Sequence, residues 1–558
     1  MKATSPGGML RSLHHAVTLS SQTDKAVSVW INDDIRPLPP SRRTWSTLTF
    51  VGWWSVWQLS LTNWQLGAAL VASSLSVWQT MIAVILGRII AAIVAVMIGY
   101  IGAEWHIGFP VYSRVIWGIF GAIIPTVIRI GLTIVGFAFQ SYTGGLCVSA
   151  ILAAIFPSFN NMRNTLPESA HVTTQQIIGW ALFNIISIPM LYRRPERSEK
   201  LMIGMNVISF ASLLGIMIWS LSYAKGAGDL IHQSSNLQGS SALGFGILQG
   251  TTTVVGTVSI ALTSQMDFSR FARKPSDQVF GQWFTFIIIG SVMPLFGCLT
   301  SSATQKIYGE PLWNPPTILA MWLQRDYSST SRAAAFFAGL GLVSSQLALT
   351  VVDNGYSVGM DLSGLLPKYI NIRRGCYVGL ILGMALCPWE LLASAKTFVS
   401  VISSFSIFMA PLCGIHISDY WIVRQRRLKL SDLYHSRPDG IYYYTSGVNW
   451  RSIIPWLVGW VPLLPGFIHS IDPTILMPIG VDRLYALGFP YGLLSSIAAH
   501  TVINWVFPPP GIGEIDKADI FGTFTATEAA KLGVSPSDAE GDSDGNSAQD
   551  SRLVTEKV

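Results

Sequence analysis

Polar side chains gather inside stretches of this chain that otherwise read as membrane-spanning. Gln58-Leu59-Ser60-Leu61-Thr62-Asn63 lies between Trp57 and Trp64, and Gln249-Gly250-Thr251-Thr252-Thr253 is followed by Gly256-Thr257. Lipid tolerates irregular backbone only where protein encloses it, so such clusters mark broken helices whose amides and hydroxyls can hold a polar ligand. The same Gly and Thr residues would also let helices pack closely, and composition leaves both readings open. Arg88, Arg129, Gln140, Asp353, Asn354, Glu390 and Lys396 stand in other apolar segments. Ionisable groups there are costly and point to ligand binding or proton carriage, which makes Asp353 and Glu390 the proton-coupling candidates. Asp353 and Asn354 precede Gly355, a local break facing a cavity. Glu390 and Lys396 lie near a segment end, where snorkelling to water also accounts for them.

Catalytic patterns do not accompany these residues. The sequence contains no His-x-x-x-His pair, Walker loop or Gly-x-Ser-x-Gly elbow, so the expectation is a transporter and not an enzyme, with no cofactor and no metal. Cys147, Cys298, Cys376, Cys387 and Cys413 all fall in apolar stretches and read as small core side chains.

The elements that must position these groups are helices in lipid. Of 558 residues 50% are hydrophobic and 12% charged, against about 25% charged in soluble domains. Hydropathy places spans at 47–67, 80–100, 127–155, 175–191, 201–223 and 243–263, then at 280–299, 333–352, 376–392, 398–423, 453–467 and 487–507. The expected fold is thus an all-α membrane protein of about twelve helices, with the first span as insertion signal. Two broken helices, the first and the sixth, are what a five-plus-five inverted repeat would give.

Charge sets the orientation. Arg193, Arg194, Arg197 and Lys200 fall in one loop, Arg270, Arg273 and Lys274 in another, and Lys368, Arg373, Arg374 and Arg424, Arg426, Arg427, Lys429 in two more. All four lie on one side if the amino terminus is cytoplasmic, as the positive-inside rule requires. This topology absorbs the net charge of +6 without a nucleic-acid partner. Residues 1–46 form an amino-terminal tail, 47–423 the transporter core, 424–452 a cytoplasmic loop and 453–507 two further helices. Residues 508–558, polar, acidic and rich in Ser, Asp and Gly, read as a disordered tail, as do the first 40 or so.

Ordered motifs add a resemblance. Asn32-Asp33-Asp34-Ile35-Arg36-Pro37 with Arg43-Thr44-Trp45, Gln140-Ser141-Tyr142-Thr143-Gly144-Gly145, Asp267-Phe268-Ser269-Arg270, Gly359-Met360-Asp361-Leu362 and Ser418-Asp419-Tyr420 run in that order. The set resembles nucleobase-cation symporter family one, in its fungal uracil, allantoin and uridine permease branch. That resemblance implies the inverted-repeat fold and uptake of nucleobase-like or related heterocycles, usually with a proton at the plasma membrane. It also implies cytoplasmic tails that bind trafficking or ubiquitination machinery.

The family's binding residues carry over unevenly. In the third span the pattern falls on Gly136-Phe137-Ala138-Phe139-Gln140, which keeps the glutamine and has Gly136 in place of a stacking tryptophan. In the sixth span a Gly-aromatic pair becomes Thr257-Val258, in the eighth the substrate-facing asparagine is Asn354, and in the first Trp57 replaces an Asp. Gln140 and Asn354 can still read the edge of a heterocycle, and Phe137, Phe139, Trp57 or Trp64 are candidates for a substitute ring. Leu349 and Ala348 stand where a sodium-coupled relative has hydroxyls, which favours a proton. Asn32, Asp34 and Arg270 are expected to form an inner gate by ion pairing. Two alternatives accompany this reading: a permease for a larger ligand such as a vitamin or specialised metabolite, and a transport-inactive nutrient sensor.

Overall fold

Facing lipid, a backbone satisfies its amides within its own helix, and the described spans are helical except at breaks that protein encloses. The computed structural model describes residues 28–535 apart from 74, 194–197, 232, 234–236, 238 and 393. Arg194, Arg197 and the tail from 536 onward therefore lie outside the described residues.

The first span is interrupted, Thr47–Gln58 (α1) and Leu61–Ser73 (α2) being separated by Leu59 and Ser60. Val77–Trp105 (α3) starts on a capping box in which the Ser76 amide donates to Gln79 Oε1 at 2.9 Å. Ile123–Ile155 (α4), Thr174–Leu191 (α5) and Glu199–Tyr223 (α6) follow. The sixth span breaks at Thr257 and Val258, between Ser240–Gly256 (α7) and Ser259–Ser269 (α8). Both breaks fall at the polar clusters, five spans apart.

Asp277–Tyr308 (α9) and Ser329–Leu365 (α10) are long spans. A π turn at Thr350–Gly355 widens α10 around Asp353 and Asn354. Ile372–Met384 (α11), Ala395–Val423 (α12), Trp450–Ile471 (α13) and the pair Ile479–Ala486 (α14) and Gly488–Val506 (α15), bent by 78°, complete the bundle. Among the described residues nine spans are long and apolar enough to cross a membrane, and the bent pair makes a tenth. The other two expected spans are the divided α1 and α2 and the 13-residue α11. Large apolar side chains such as Ile185, Val207, Ile288, Phe337, Ile381 and Leu494 remain exposed around the helices, the surface that lipid covers.

Helices α2 and α9 meet backbone to backbone. A Cβ on Gly67 would sit 2.1 Å from the Pro294 carbonyl oxygen, and one on Gly297 2.1 Å from that of Trp64. Glycine is required at both places, so α2 is fixed to α9 even though α1 and α2 are not continuous.

Three expectations are corrected here. Residues 28–46 pack: Ile31, Ile35 and Leu38 are buried, and Trp45 pairs with Ala272 beyond α8. Residues 508–535 also fold, into a strap ending in the short helix Ala526–Leu532 (α16), whose Thr525 and Glu528 form a capping box. The strap docks through Trp105 against Phe524, Tyr434 against Phe521, and an Arg43–Glu528 ion pair of 2.7 Å. Too few apolar residues occur there for an independent core, yet two rings suffice when a finished surface receives them. Third, Cys387 is exposed, while the other four cysteines are buried.

His106 caps α3 in the left-handed region (φ 55°) and its Nδ1 donates to the Arg270 carbonyl at 3.1 Å. Burial, followed by the nearby Arg43 guanidinium, pushes its pKa down from 6.5 to about 3. The folded value lies below the free one, so the neutral ring stabilises this face above pH 6.5, and that contribution is lost progressively as pH falls toward 3. The purified protein should therefore lose stability on going from about pH 7.5 to pH 5, by up to roughly 1.4 kcal/mol per pH unit. His106→Asn, which tolerates the same backbone, should flatten that part of a melting-temperature profile. An unchanged slope would remove His106 as its source.

Candidate substrate site and its gate

The first break, the middle of α4 and the π turn of α10 meet in one buried polar region. At the α1–α2 break, Thr62 and Gln140 exchange side-chain hydrogen bonds of 2.9 and 3.1 Å across to α4. One helical turn earlier on α4, Gly136 faces Asn354, whose Oδ1 would lie 2.8 Å from a Cβ placed there. Asn354 is 1% exposed, and neither amide atom has a hydrogen-bond partner among the described residues. Asp353 Oδ1, both amide atoms of Gln346 and the Trp57 indole nitrogen share that condition. Unpartnered buried polar atoms cost about 1–3 kcal/mol each, so a ligand with matching donors and acceptors would be strongly favoured here.

Thr257 and Val258 are the two residues of the α7–α8 break, and Val258 is buried in the same core as Phe139. Gly256 abuts α12, where its Cβ would meet the Ile402 carbonyl at 2.4 Å. The structure thus brings Gly136, Asn354 and Gln140 into one region and sets Thr257 and Val258 at the second break.

Other candidates fall elsewhere. Phe137 turns toward α11, its ring 3.0 Å from where a Gly383 Cβ would be, and is a packing residue there. Trp64 packs edge-on against Phe296 on α9. Phe139 lies tilted against Phe398 at 5.5 Å, which in turn meets Trp313 at 5.4 Å, so three rings cluster next to Gln140. Glu390 is not in a span: it lies in the turn Pro388–Leu392, half exposed, with both carboxylate oxygens 3.1 Å from His171 Nδ1. Helix α11 ends at Met384, so Glu390 falls in the turn beyond it. Lys396, also exposed, borders a separate cavity of about 810 Å³ with Gln249, His469 and Asp482.

The opposite side is closed by charge. Arg129 on α4 forks onto Asp361 of α10 through Nε (2.7 Å) and Nη2, and Nη2 also reaches Asp267 of α8 at 2.9 Å. Asp267 Oδ1 accepts the Phe109 amide at 2.8 Å, and the Phe109 ring lies 3.8 Å from the guanidinium. All three charged residues are essentially unexposed. Arg129 was recognisable as a charge in lipid, but its partners stood in family motifs without an assigned role. Their signal was the presence of opposite charges near the same ends of three spans.

Below this cluster the amino-terminal segment seals the face. Asn32 Oδ1 accepts the Asp34 and Ile35 amides, while its Nδ2 donates to the Ser363 and Pro367 carbonyls at 3.4 and 3.1 Å. Arg270 donates to the Asp34 carbonyl at 2.8 Å, and Asp34 Oδ2 accepts the Ile372 amide at 3.1 Å. The expected gate residues do meet, but the Asp34 carboxylate caps the start of α11 and Arg270 reaches Asp34 through a backbone carbonyl.

A family model described as "Permease for cytosine/purines, uracil, thiamine, allantoin" matches residues 37–492. The chain belongs to that family. It is 72% identical over 604 aligned positions to Transporter aclS of Aspergillus oryzae, covering 99% of this chain and 98% of that one. Nicotinamide riboside transporter 1 of Saccharomyces cerevisiae is 30% identical over 511 positions, covering 92% and 85%. The fold matches that of Mhp1, a nucleobase-cation-symport-1 family transporter in a closed conformation with bromovinylhydantoin bound, with a TM-score of 0.66 at 21% identity over 90% of this chain and 99% of Mhp1. The protein is a permease of this family and not an enzyme.

Two substitutions test the geometry. Gly136→Ala puts a methyl 2.8 Å from Asn354 Oδ1 and should reduce uptake at least tenfold at normal surface density, whereas Gly131→Ala, with nothing within 4 Å, should not. Asp361→Asn leaves Arg129 with one carboxylate, and breaking such a buried pair costs about 3–5 kcal/mol. A fall in melting temperature with greater thiol-reagent access at this face is expected. A wild-type melting temperature would show that the cluster does not hold the gate.

Proposed function

We propose that this permease takes up a nucleobase-like or related heterocyclic compound by alternating access, driven by a proton. The observation that carries this reading is Asn354, an amide 1% exposed with both polar atoms unpartnered, opposite the glycine at 136. An amide offers one donor and one acceptor edge, the complement of a lactam or ureide. The Phe139, Phe398 and Trp313 rings on one side and the Arg129 cluster on the other supply the two closures that alternate.

Asp353 is the proton carrier in this scheme. It neighbours the substrate amide, and its Oδ1 has no partner among the described residues. Ala348 and Leu349, buried without side-chain oxygens, argue against sodium.

A second reading concerns ligand size. Gly136 and Val258 occupy positions where the family resemblance places rings, which leaves more volume and less stacking. A ligand larger than uracil fits that change, in keeping with the nicotinamide riboside named for one relative. In either case the proposed placement is the plasma membrane, and the basic loops support an orientation with both termini in the cytoplasm.

The test is uptake of labelled uracil, allantoin, uridine, thiamine and nicotinamide riboside in a yeast strain lacking its own permeases. Uptake of at least one, rising as external pH falls, is expected. In Asp353→Asn the pH dependence should vanish. No uptake of any of the five at confirmed surface expression would reject the heterocycle assignment.

A further inference from the structure

Arg88 lies in the middle of α3 and is 0% exposed. Its Nη2 donates to Asn63 Oδ1 at 2.5 Å, while Nε and Nη1 meet no acceptor and no carboxylate lies within 4.0 Å among the described residues. Every other guanidinium buried to this degree has a stated use here: Arg129 holds two carboxylates, and Arg424 holds Asp419. A buried cation without an anion costs several kcal/mol, so what faces it must carry compensating negative potential.

What faces it is the carboxyl end of α1. Asn63 Nδ2 donates to the carbonyls of Trp57 (2.7 Å) and Gln58 (3.3 Å), so a single amide links the guanidinium to the last turn of that half-helix. The carboxyl end of a helix carries roughly half a negative charge. In transporters with broken helices, unwound carbonyls of this kind are where a transported cation is held. The Gln58 amide is also fully buried with both atoms unpartnered. Gly290 on α9 makes the room, since its Cβ would be 2.6 Å from Gln58 Oε1 and 3.2 Å from Arg88 Nε. On the far side of the break, Ser345 Oγ accepts the Leu61 amide at 3.2 Å, which ties the start of α2 to α10.

We infer that the guanidinium of Arg88 is a fixed cation at the α1–α2 break, occupying the electrostatic role of a bound alkali-metal ion, so that the break is held without one. This deepens the permease reading and rests on it for its bearing on transport. A covalently tethered charge cannot leave with the substrate. The break is therefore equally stable loaded or empty, and the coupling charge must come from elsewhere.

Purified protein tests this without a known substrate, so a failed uptake panel and a failed inference are separable. Melting temperature and amide exchange across residues 55–65 are measured in sodium chloride and in choline chloride at equal ionic strength. The wild type should be indifferent to the choice. Arg88→Ala should melt lower and exchange at least tenfold faster across the break, and ~10 mM guanidinium, but not choline, should restore both by mass action. Stabilisation of the wild type by sodium over choline, or absence of rescue in Arg88→Ala, would overturn the inference. Should Arg88→Ala yield no folded protein, Arg88→Lys and Arg88→Met decide: protection kept in the lysine variant and lost in the methionine variant supports a charge, and equal behaviour refutes it.

Discussion

A guanidinium inside a membrane must find negative charge or partial charge, and the arrangement of this permease follows from where each arginine finds it. Arg129 finds two carboxylates, Asp361 on α10 and Asp267 on α8. Since α8 is the second half of a broken helix and α4 and α10 line the opposite wall, the pair of contacts joins two bodies that must separate for the site to open. The cost of separating them is high in lipid and lower once water enters. Under the proposed alternating access, the same cluster is the contact that would have to part when the site opens. Phe109 stacks beneath the guanidinium and donates its amide to Asp267, so the short helix Phe109–Trp117 beyond α3 participates in the same closure.

On the other side closure is apolar. Phe139, Phe398 and Trp313 meet ring to ring, and such contacts reform without desolvating a charge. Under the proposed mechanism the two closures are chemically unlike, one ionic and one aromatic. Asn354 lies between them, on a π turn that adds a residue to α10 and so turns Asp353 and Asn354 off the regular helical register. The site amide is held by backbone geometry and close packing against Gly136, with no side-chain hydrogen bond fixing it.

Local signals in the sequence identified the parts that are local. The two breaks are legible because Gly, Thr and Gln gather inside apolar runs, and both fall within two residues of the structural interruption or its polar cluster. Asn354 and Gln140 were legible from motif order. The Arg129 partners were not, because they stand 138 and 232 residues away and no periodicity connects them. Glu390 was misplaced because hydropathy averages across Pro388 and cannot see where the helix ends. The strap at 508–535 escaped for a related reason. Its composition predicts a chain that cannot fold alone, which is correct, but Phe521 and Phe524 bury themselves in a surface contributed by Tyr434 and Trp105.

These tethered contacts bear on coupling. The face with the ionic cluster is covered by the amino-terminal segment, and that segment is held at Arg43 by Glu528 of the strap. Burial would raise the Glu528 pKa, yet the Thr525 amide and the Arg43 guanidinium together hold it below the usual range. The Glu528 carboxylate is thus held in its charged form beside Arg43. The strap and the amino-terminal segment are thereby joined, and the stabilisation from neutral His106 beside them falls away as pH drops below 6.5. Under the proposed proton coupling, the carrier lies beside Asn354 at Asp353, whose Oδ1 has no hydrogen-bond partner among the described residues.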